Sequence, residues 1–246
     1  MSAAGVCGVI QIGADIESSR LALDMAIRWG SDTWCTVGIH PTDCQDLAAG
    51  SCETAVQELE WLWKNHKDKV VGIGETGLDY YHLTPGKEPY QKETQFIFFA
   101  AHARLAQRLN LPLVIHTRDA AVDTVRLIGE NGVRRAVIHC FSEDYCFAEA
   151  LMNWSEGIYF SFSGILTYKN ARPIQETAAY LPLNRILVET DSPFIIPAGA
   201  GGKNMVNEPA FTRYVLDALK ALRSEPPEIV EQTVWENSRV FFNLPD

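Results

Sequence analysis

Short apolar runs recur along this chain, most of them ending in a residue that carries chemistry, and segments with helical periodicity fill the gaps between them. The runs are Val6–Ile12, Thr33–Ile39, Val70–Ile73, Leu111–Ile115, Arg135–Ile138, Ile158–Phe162 and Arg185–Val188, all of strand length. Between them Glu17–Trp29, Thr54–His66, Tyr90–Asn110, Ala120–Gly129, Asp144–Asn153 and Asn170–Tyr180 read as helices. Glu208–Arg223 and Pro227–Phe242 add two more with no strand between them. In the first helix Leu21, Met25 and Trp29 recur every fourth residue and share one face. Such alternation points to a parallel sheet, either open and doubly wound or closed as a barrel. His40, Glu75, His116, His139 and Asp191 fall at the C-terminal ends of different strands. A barrel gathers those ends where active sites of that architecture lie, whereas an open sheet spreads them apart. No GxGxxG follows the first strand to favour a dinucleotide-binding sheet. The expected fold is therefore α/β, a TIM-type (β/α) barrel in one domain over residues 1–246, incomplete at seven strands.

The stretch Val70–Tyr81, VVGIGETGLDYY, sets Glu75 between Gly74 and Gly77 just past an apolar run. Glycines allow tight turns on both sides of a carboxylate expected where its strand runs out. A salt-bridged or capping glutamate is the plain alternative for this stretch alone. For each histidine alone, the alternative is a core imidazole bonded to a backbone carbonyl. Recurrence of such residues at four strand ends argues for a shared purpose. Mixed imidazole and carboxylate donors suit zinc, manganese, cobalt or iron, and magnesium where oxygens dominate. Two histidines and two carboxylates can hold one ion or share two. A bound ion makes a hydrolytic nucleophile available near neutral pH, and Asp191 can orient the water or accept its proton, while Glu75 can bridge two ions. Arg118, two residues after His116, can reach a phosphate with its forked donors, with an ion pair to Asp119 as the alternative. Tyr80, Tyr81 and His82 can stack on a base or pack against the rim.

With a net charge of −10, the chain lacks the basic surface that drives non-specific nucleic-acid binding, so a nucleic acid would be held by a local site. Lys169, Arg172 and Lys203 follow late strands and can touch phosphates, with solvated surface charge as the alternative. Six scattered cysteines without a CxxC pair read as free thiols. No stretch reads as a signal peptide or membrane span, which leads to an expectation of a cytoplasmic protein.

With these residues in view, the chain resembles the TatD family of metal-dependent deoxyribonucleases, among the amidohydrolase-like barrels. The stretches that carry the resemblance are VGIHP (37–41), GIGETGLDY (72–80), PLVIHTRD (112–119), VIHCFS (137–142), YFSFSG (159–164), LVETDSP (187–193) and NEP (207–209). The resemblance implies that Glu75, His116, His139 and Asp191 ligate one or two divalent cations such as Mg²⁺, with Mn²⁺ or Zn²⁺ as alternatives. Glu75 and Asp191 would carry catalysis, and His40, Tyr80 and Arg118 would contact substrate. It further implies hydrolysis of DNA phosphodiesters, from a 3′ end or in single strands, as a 3′–5′ exonuclease.

The chain departs from the family in one respect. Relatives begin with a strand bearing His-x-His, which occurs nowhere here, so the expectation is one intact metal position and one weakened one. A start site assigned too far downstream would account for the missing strand. The competing readings are hydrolysis of a small amide, ester or other phosphoester, or a truncated, inactive relative. Oligomeric state is not legible in the sequence.

Overall fold

A computed structural model describes residues 4–48, 50–201 and 205–245. Lys203 and part of the expected glycine loop at 198–202 therefore lie outside the described residues. The chain divides into two compact units, Gly8–Val137 and Ile138 onward, the latter joined by the residues before Gly8.

The first unit opens with β1 (Val9–Gln11), α1 (Ile16–Arg28), β2 (Thr33–Val37), the single turn α2 (Pro41–Cys44) and α3 (Ser51–Asn65). It continues through β3 (Val70–Asp79), α4 (Glu88–Leu109), β4 (Leu113–Arg118), α5 (Ala121–Glu130) and the start of β5 (Arg135–Ile138). Strands β1 to β4 pair in sequence order, and every pairing is parallel. The turn after β1 is held by a reciprocal cap. The Asp15 carboxylate accepts from the Ser18 N–H at 2.6 Å, and Ser18 Oγ accepts from the Asp15 N–H at 2.8 Å. The buried face of α1 is Ser19, Ala22, Leu23 and Ala26, spaced for one stripe. Leu21 and Trp29, which share the face expected from the apolar spacing, are exposed. Three of these four residues are small, and Ser19 approaches the chain just past β2 closely enough for its Oγ to bond both the N–H and the carbonyl of Gly38.

The strand carrying Glu75 does not stop there, contrary to the expectation from sequence. It runs ten residues to Asp79, with a register shift against β4 between Ile73 and Thr76. Three residues of β3 span two of β4 at this bulge, which re-aims the intervening side chains. Pairing then resumes as Thr76↔Ile115, Gly77↔His116, Leu78↔Thr117 and Asp79↔Arg118. Gly77, at φ +147°, makes this possible, because a Cβ there would lie 1.9 Å from the His116 carbonyl oxygen. By the same pairing β4 runs on to Arg118, so His116 lies within a strand rather than at its end. In contrast β2 ends at Val37, and Gly38–His40 is irregular.

The second unit contains α6 (Tyr145–Trp154), β6 (Gly157–Phe162), α7 (Arg172–Tyr180), β7 (Ile186–Val188), α8 (Thr212–Leu222) and α9 (Pro227–Phe242). Strands β6 and β7 pair in parallel, and Phe141, Phe160 and Phe162 pack as an aromatic core at centroid distances of 5.4 to 5.6 Å. The Asn237 amide ties α9 to the carbonyls of Leu183 and Ile186. Arg172 opens α7, within the helix expected over Asn170–Tyr180. Helix α8 begins four residues later than expected, because Pro209–Phe211 forms a 3₁₀ turn first. No helix among the described residues is long and apolar enough to cross a membrane.

His102 on α4 is a structural histidine. Its Nδ1 donates to the Phe98 carbonyl at 2.7 Å and its Nε2 accepts the Ile39 N–H at 3.1 Å, fixing the neutral tautomer beside His40. Burial lowers its pKa to about 4 despite the Phe98 contact. A folded value below the unfolded 6.5 makes stability complete above pH 6.5 and lost as pH falls toward 4, by about 3 kcal/mol. Urea unfolding across that window should show this slope in the wild type and not in His102→Gln. Parallel slopes in the two proteins would contradict a buried neutral His102.

Candidate metal centre

The site in the first unit is built on the turn after β1. Gly13 O accepts the Glu75 N–H at 2.8 Å and Ala14 O accepts the His40 N–H at 2.7 Å, so two adjacent residues anchor both side chains. His40 caps α2, with Pro41 next, and its Nδ1 accepts the Thr42 N–H at 3.3 Å. The opposite ring nitrogen, Nε2, stands 3.7 Å from Glu75 Oε1. His116 Nδ1 lies 3.1 Å from the same oxygen, and the two imidazoles meet edge to face at 4.4 Å. One donor atom each from His40, Glu75 and His116 lies within 4.8 Å of the others. Two imidazole nitrogens and a carboxylate 12% exposed form a donor set that fits a divalent transition metal.

Asp79, absent from the sequence-based set, completes the arrangement. Its side chain is 1% exposed, and its Oδ2 lies 3.1 Å from His116 Nε2 and 2.8 Å from His82 Nδ1. Its Oδ1 accepts the His82 N–H at 2.9 Å. Gln95 clamps the Asp79 backbone from α4, accepting its N–H and donating to its carbonyl, both at 3.0 Å. Burial pushes the Asp79 carboxyl up, but the hydrogen bonds from His116 and His82 outweigh it and hold the group below the usual carboxylate range. Burial likewise disfavours a charged His116. Its hydrogen bonds to Asp79 and Glu75 prevail and raise its pKa. The sequence did contain a signal for Asp79, because Glu75, Gly77 and Asp79 alternate along one strand face with no side chain between the two acids.

Among the expected substrate contacts, His40 lies in the donor cluster. Tyr80 donates its hydroxyl to Asp123 at 2.6 Å and carries Lys92 over its ring at 3.8 Å. Arg118 is exposed, with its guanidinium 3.9 Å above the ring of the equally exposed Tyr81, whose edge meets His82.

In the second unit His139 follows β5, and Glu189 and Asp191 follow β7. His139 Nδ1 lies 2.8 Å from Glu189 Oε2, and its Nε2 lies 3.4 Å from Asp191 Oδ1. Glu189 Oε1 also accepts the Cys140 N–H at 3.0 Å. Asp191 has φ +55°, and the loop around it is pinned by the Asn207 amide, which donates to the carbonyls of Thr190 and Ile195. Asn207 belongs to the NEP stretch, whose place in the site the sequence did not reveal. Cys140 Sγ contacts Ser163 Oγ at 3.1 Å, and all six cysteines are free, as expected.

A family model described as TatD related DNase matches residues 1–243. The chain belongs to the TatD family. The uncharacterized metal-dependent hydrolase YcfH of Escherichia coli K12 is 37% identical over 209 residues, covering 84% of this chain and 72% of its own. The uncharacterized metal-dependent hydrolase TatD of Mycobacterium tuberculosis is 34% identical over 250 residues, covering 99% of this chain and 88% of its own. The crystal structure of YjjV, a TatD homologue from Escherichia coli K12, superposes with a TM-score of 0.87 at 26% identity over 98% of this chain and 88% of that one. The chain thus has the α/β, TIM-type fold expected from its strand and helix alternation, and it is a metal-dependent hydrolase of the TatD family.

A metal ion held by His116 would compete with a proton for its ring. Because its two carboxylates raise its pKa above 6.5, a cation should displace a proton on binding, and affinity should rise with pH through that raised value. In the metal-free protein the linkage has the opposite sense, with stability present below pH 6.5 and lost as pH rises. Calorimetric titrations in buffers of different ionisation enthalpy should report proton release near pH 7. Binding without proton release would contradict this description of His116.

Proposed function

We propose that this TatD-family hydrolase cleaves DNA phosphodiester bonds, removing nucleotides from 3′ ends in single strands. Glu75, His116, His139 and Asp191 are the proposed ligands of one or two divalent cations, with Mg²⁺ as the preferred ion. The observation that carries this reading is the pairing of each histidine with two carboxylates, at 3.1 Å on both sides of His116 and at 2.8 and 3.4 Å around His139. Hydrolysis of a dianion-like transition state needs such a concentration of negative donors only if cations neutralise it. A cation bound there lowers the pKa of a coordinated water and offsets charge on the phosphoryl oxygens. The description of the matching family as DNase supports DNA as the substrate.

The chain's own residues have separable tasks in this reading. Glu75, 12% exposed and fixed through its backbone by Gly13, holds its carboxylate in place without rearrangement. Asp191, at 27% the more exposed acid, accepts the proton of the attacking water. Arg118 offers a phosphate its forked donors while its guanidinium rests on Tyr81. That stacked pair also presents an aromatic edge to a terminal base. His40, which shares the donor cluster with Glu75 and His116, takes the substrate side of that cluster in this reading.

The test is degradation of a 3′-labelled single-stranded DNA with Mg²⁺ or Mn²⁺, with EDTA, and with Glu75→Ala. Metal-dependent shortening from the 3′ end is expected, with a loss of about 10³-fold or more in the variant if Glu75 supplies several kcal/mol of transition-state stabilisation. Folded protein that leaves DNA intact but hydrolyses a small amide or ester would contradict the proposal.

A further inference from the structure

Each of the two histidines proposed as ligands stands between two carboxylates, and in each case one of the two acids is committed on both of its oxygens. His116 has Glu75 at Nδ1 and Asp79 at Nε2. His139 has Glu189 at Nδ1 and Asp191 at Nε2. Asp79 has both oxygens committed: Oδ1 to the His82 N–H, and Oδ2 to the rings of His82 and His116. Its 1% exposure and the Gln95 clamp on its backbone leave it no room to approach an ion. Glu189 is committed in the same way, with Oε1 on the Cys140 N–H and Oε2 on His139.

Resting on the metal-site reading above, we infer that Asp79 and Glu189 are positioning residues that bind no ion themselves. They accept the ring N–H of His116 and His139, fix each tautomer, and leave His116 Nδ1 and His139 Nε2 as the donor nitrogens. A carboxylate behind a ligating imidazole orients the ring and makes it a stronger donor, and removing such a partner costs about 10–100-fold in metal affinity. Each acid lies in the same unit as the histidine it holds, so the two parts of the inference stand independently. His82, 48% exposed, forms the outer wall of Asp79 and supplies two of its three donors. An amide cannot replace either acid, because it offers one oxygen where N–H groups converge on both.

The experiment compares wild type, Asp79→Asn, Glu189→Gln and His82→Ala. Zn²⁺ binding is measured by calorimetry, and ring protonation by long-range proton–nitrogen NMR on the Zn²⁺-loaded, ¹⁵N-histidine-labelled protein. The chain has six histidines, so the ring signals are resolvable. The expected result is a proton on Nε2 of His116 and on Nδ1 of His139 in the wild type. Asp79→Asn and Glu189→Gln should each weaken binding by about 10–100-fold, the first altering the ring signals of His116 and His82 and the second those of His139. His82→Ala should cost less than Asp79→Asn, since it leaves the bond to His116. If the wild type binds Zn²⁺ but the two amide variants bind equally well, or the protons sit on the opposite nitrogens, the inference is overturned while the metal site stands. If the wild type binds no divalent cation, both fall. Should Asp79→Asn fail to fold, the ring nitrogen that carries the proton on wild-type His116 decides the Asp79 part, and Glu189→Gln decides the other.

Discussion

The pairing of Gly77 with His116 is the contact on which the first unit's chemistry depends. A residue without a side chain lets β4 come so close that any Cβ would strike the His116 carbonyl. The imidazole is thereby set between Glu75 and Asp79, the acids two residues to either side of Gly77 on β3. Buried charges survive in proteins only when they are paired and hydrogen-bonded, and removing one partner costs about 3–5 kcal/mol. Here the partners hold one another: Asp79 answers to two imidazoles, and His116 to two carboxylates. The bulge just before Thr76 and the bond from Gly13 fix where Glu75 points, so the group is organised before any ion arrives.

A second carboxylate–imidazole–carboxylate group follows β5 and β7 and uses different backbone. Glu189 and Asp191 are two residues apart, yet the positive φ of Asp191 turns the chain so that both reach His139. Asn207 then secures that turn through backbone carbonyls. The same chemical solution thus appears once within regular strands and once within a loop after a short strand. That recurrence is better explained by a shared task than by fold stability, since a well-packed apolar core would serve stability as well or better.

Much of this was legible in the sequence because strand-length apolar runs and polar residues at their ends are local signals. Glu75, His116, His139 and Asp191 stood out for that reason, as did the order of seven strands. What escaped depended on register and on packing distance. Glu75 reads as the end of a strand because its two flanking glycines resemble turn residues, whereas Gly77 instead permits close strand pairing over four more residues. Asp79 reads as part of an aromatic loop until Gly77 is recognised as a gap on a continuous strand face. The apolar spacing of Leu21 and Trp29 misleads because the buried stripe of α1 is Ser19, Ala22, Leu23 and Ala26, mostly small residues that an apolar-spacing count passes over. Asn207 had no local signal at all, since its partners are carbonyls that only the fold brings near.

The central claim is that Glu75 is a carboxylate prepared for a metal ion rather than one half of a structural ion pair. Anomalous diffraction from crystals of the protein grown with Zn²⁺ tests it most directly. The expected result is an anomalous peak about 2.0–2.2 Å from a Glu75 carboxylate oxygen and from His116 Nδ1, with His116 Nε2 still bonded to Asp79. A Glu75 carboxylate that keeps its 3.1 Å contact to His116 at saturating Zn²⁺, with no peak beside it, would contradict the account.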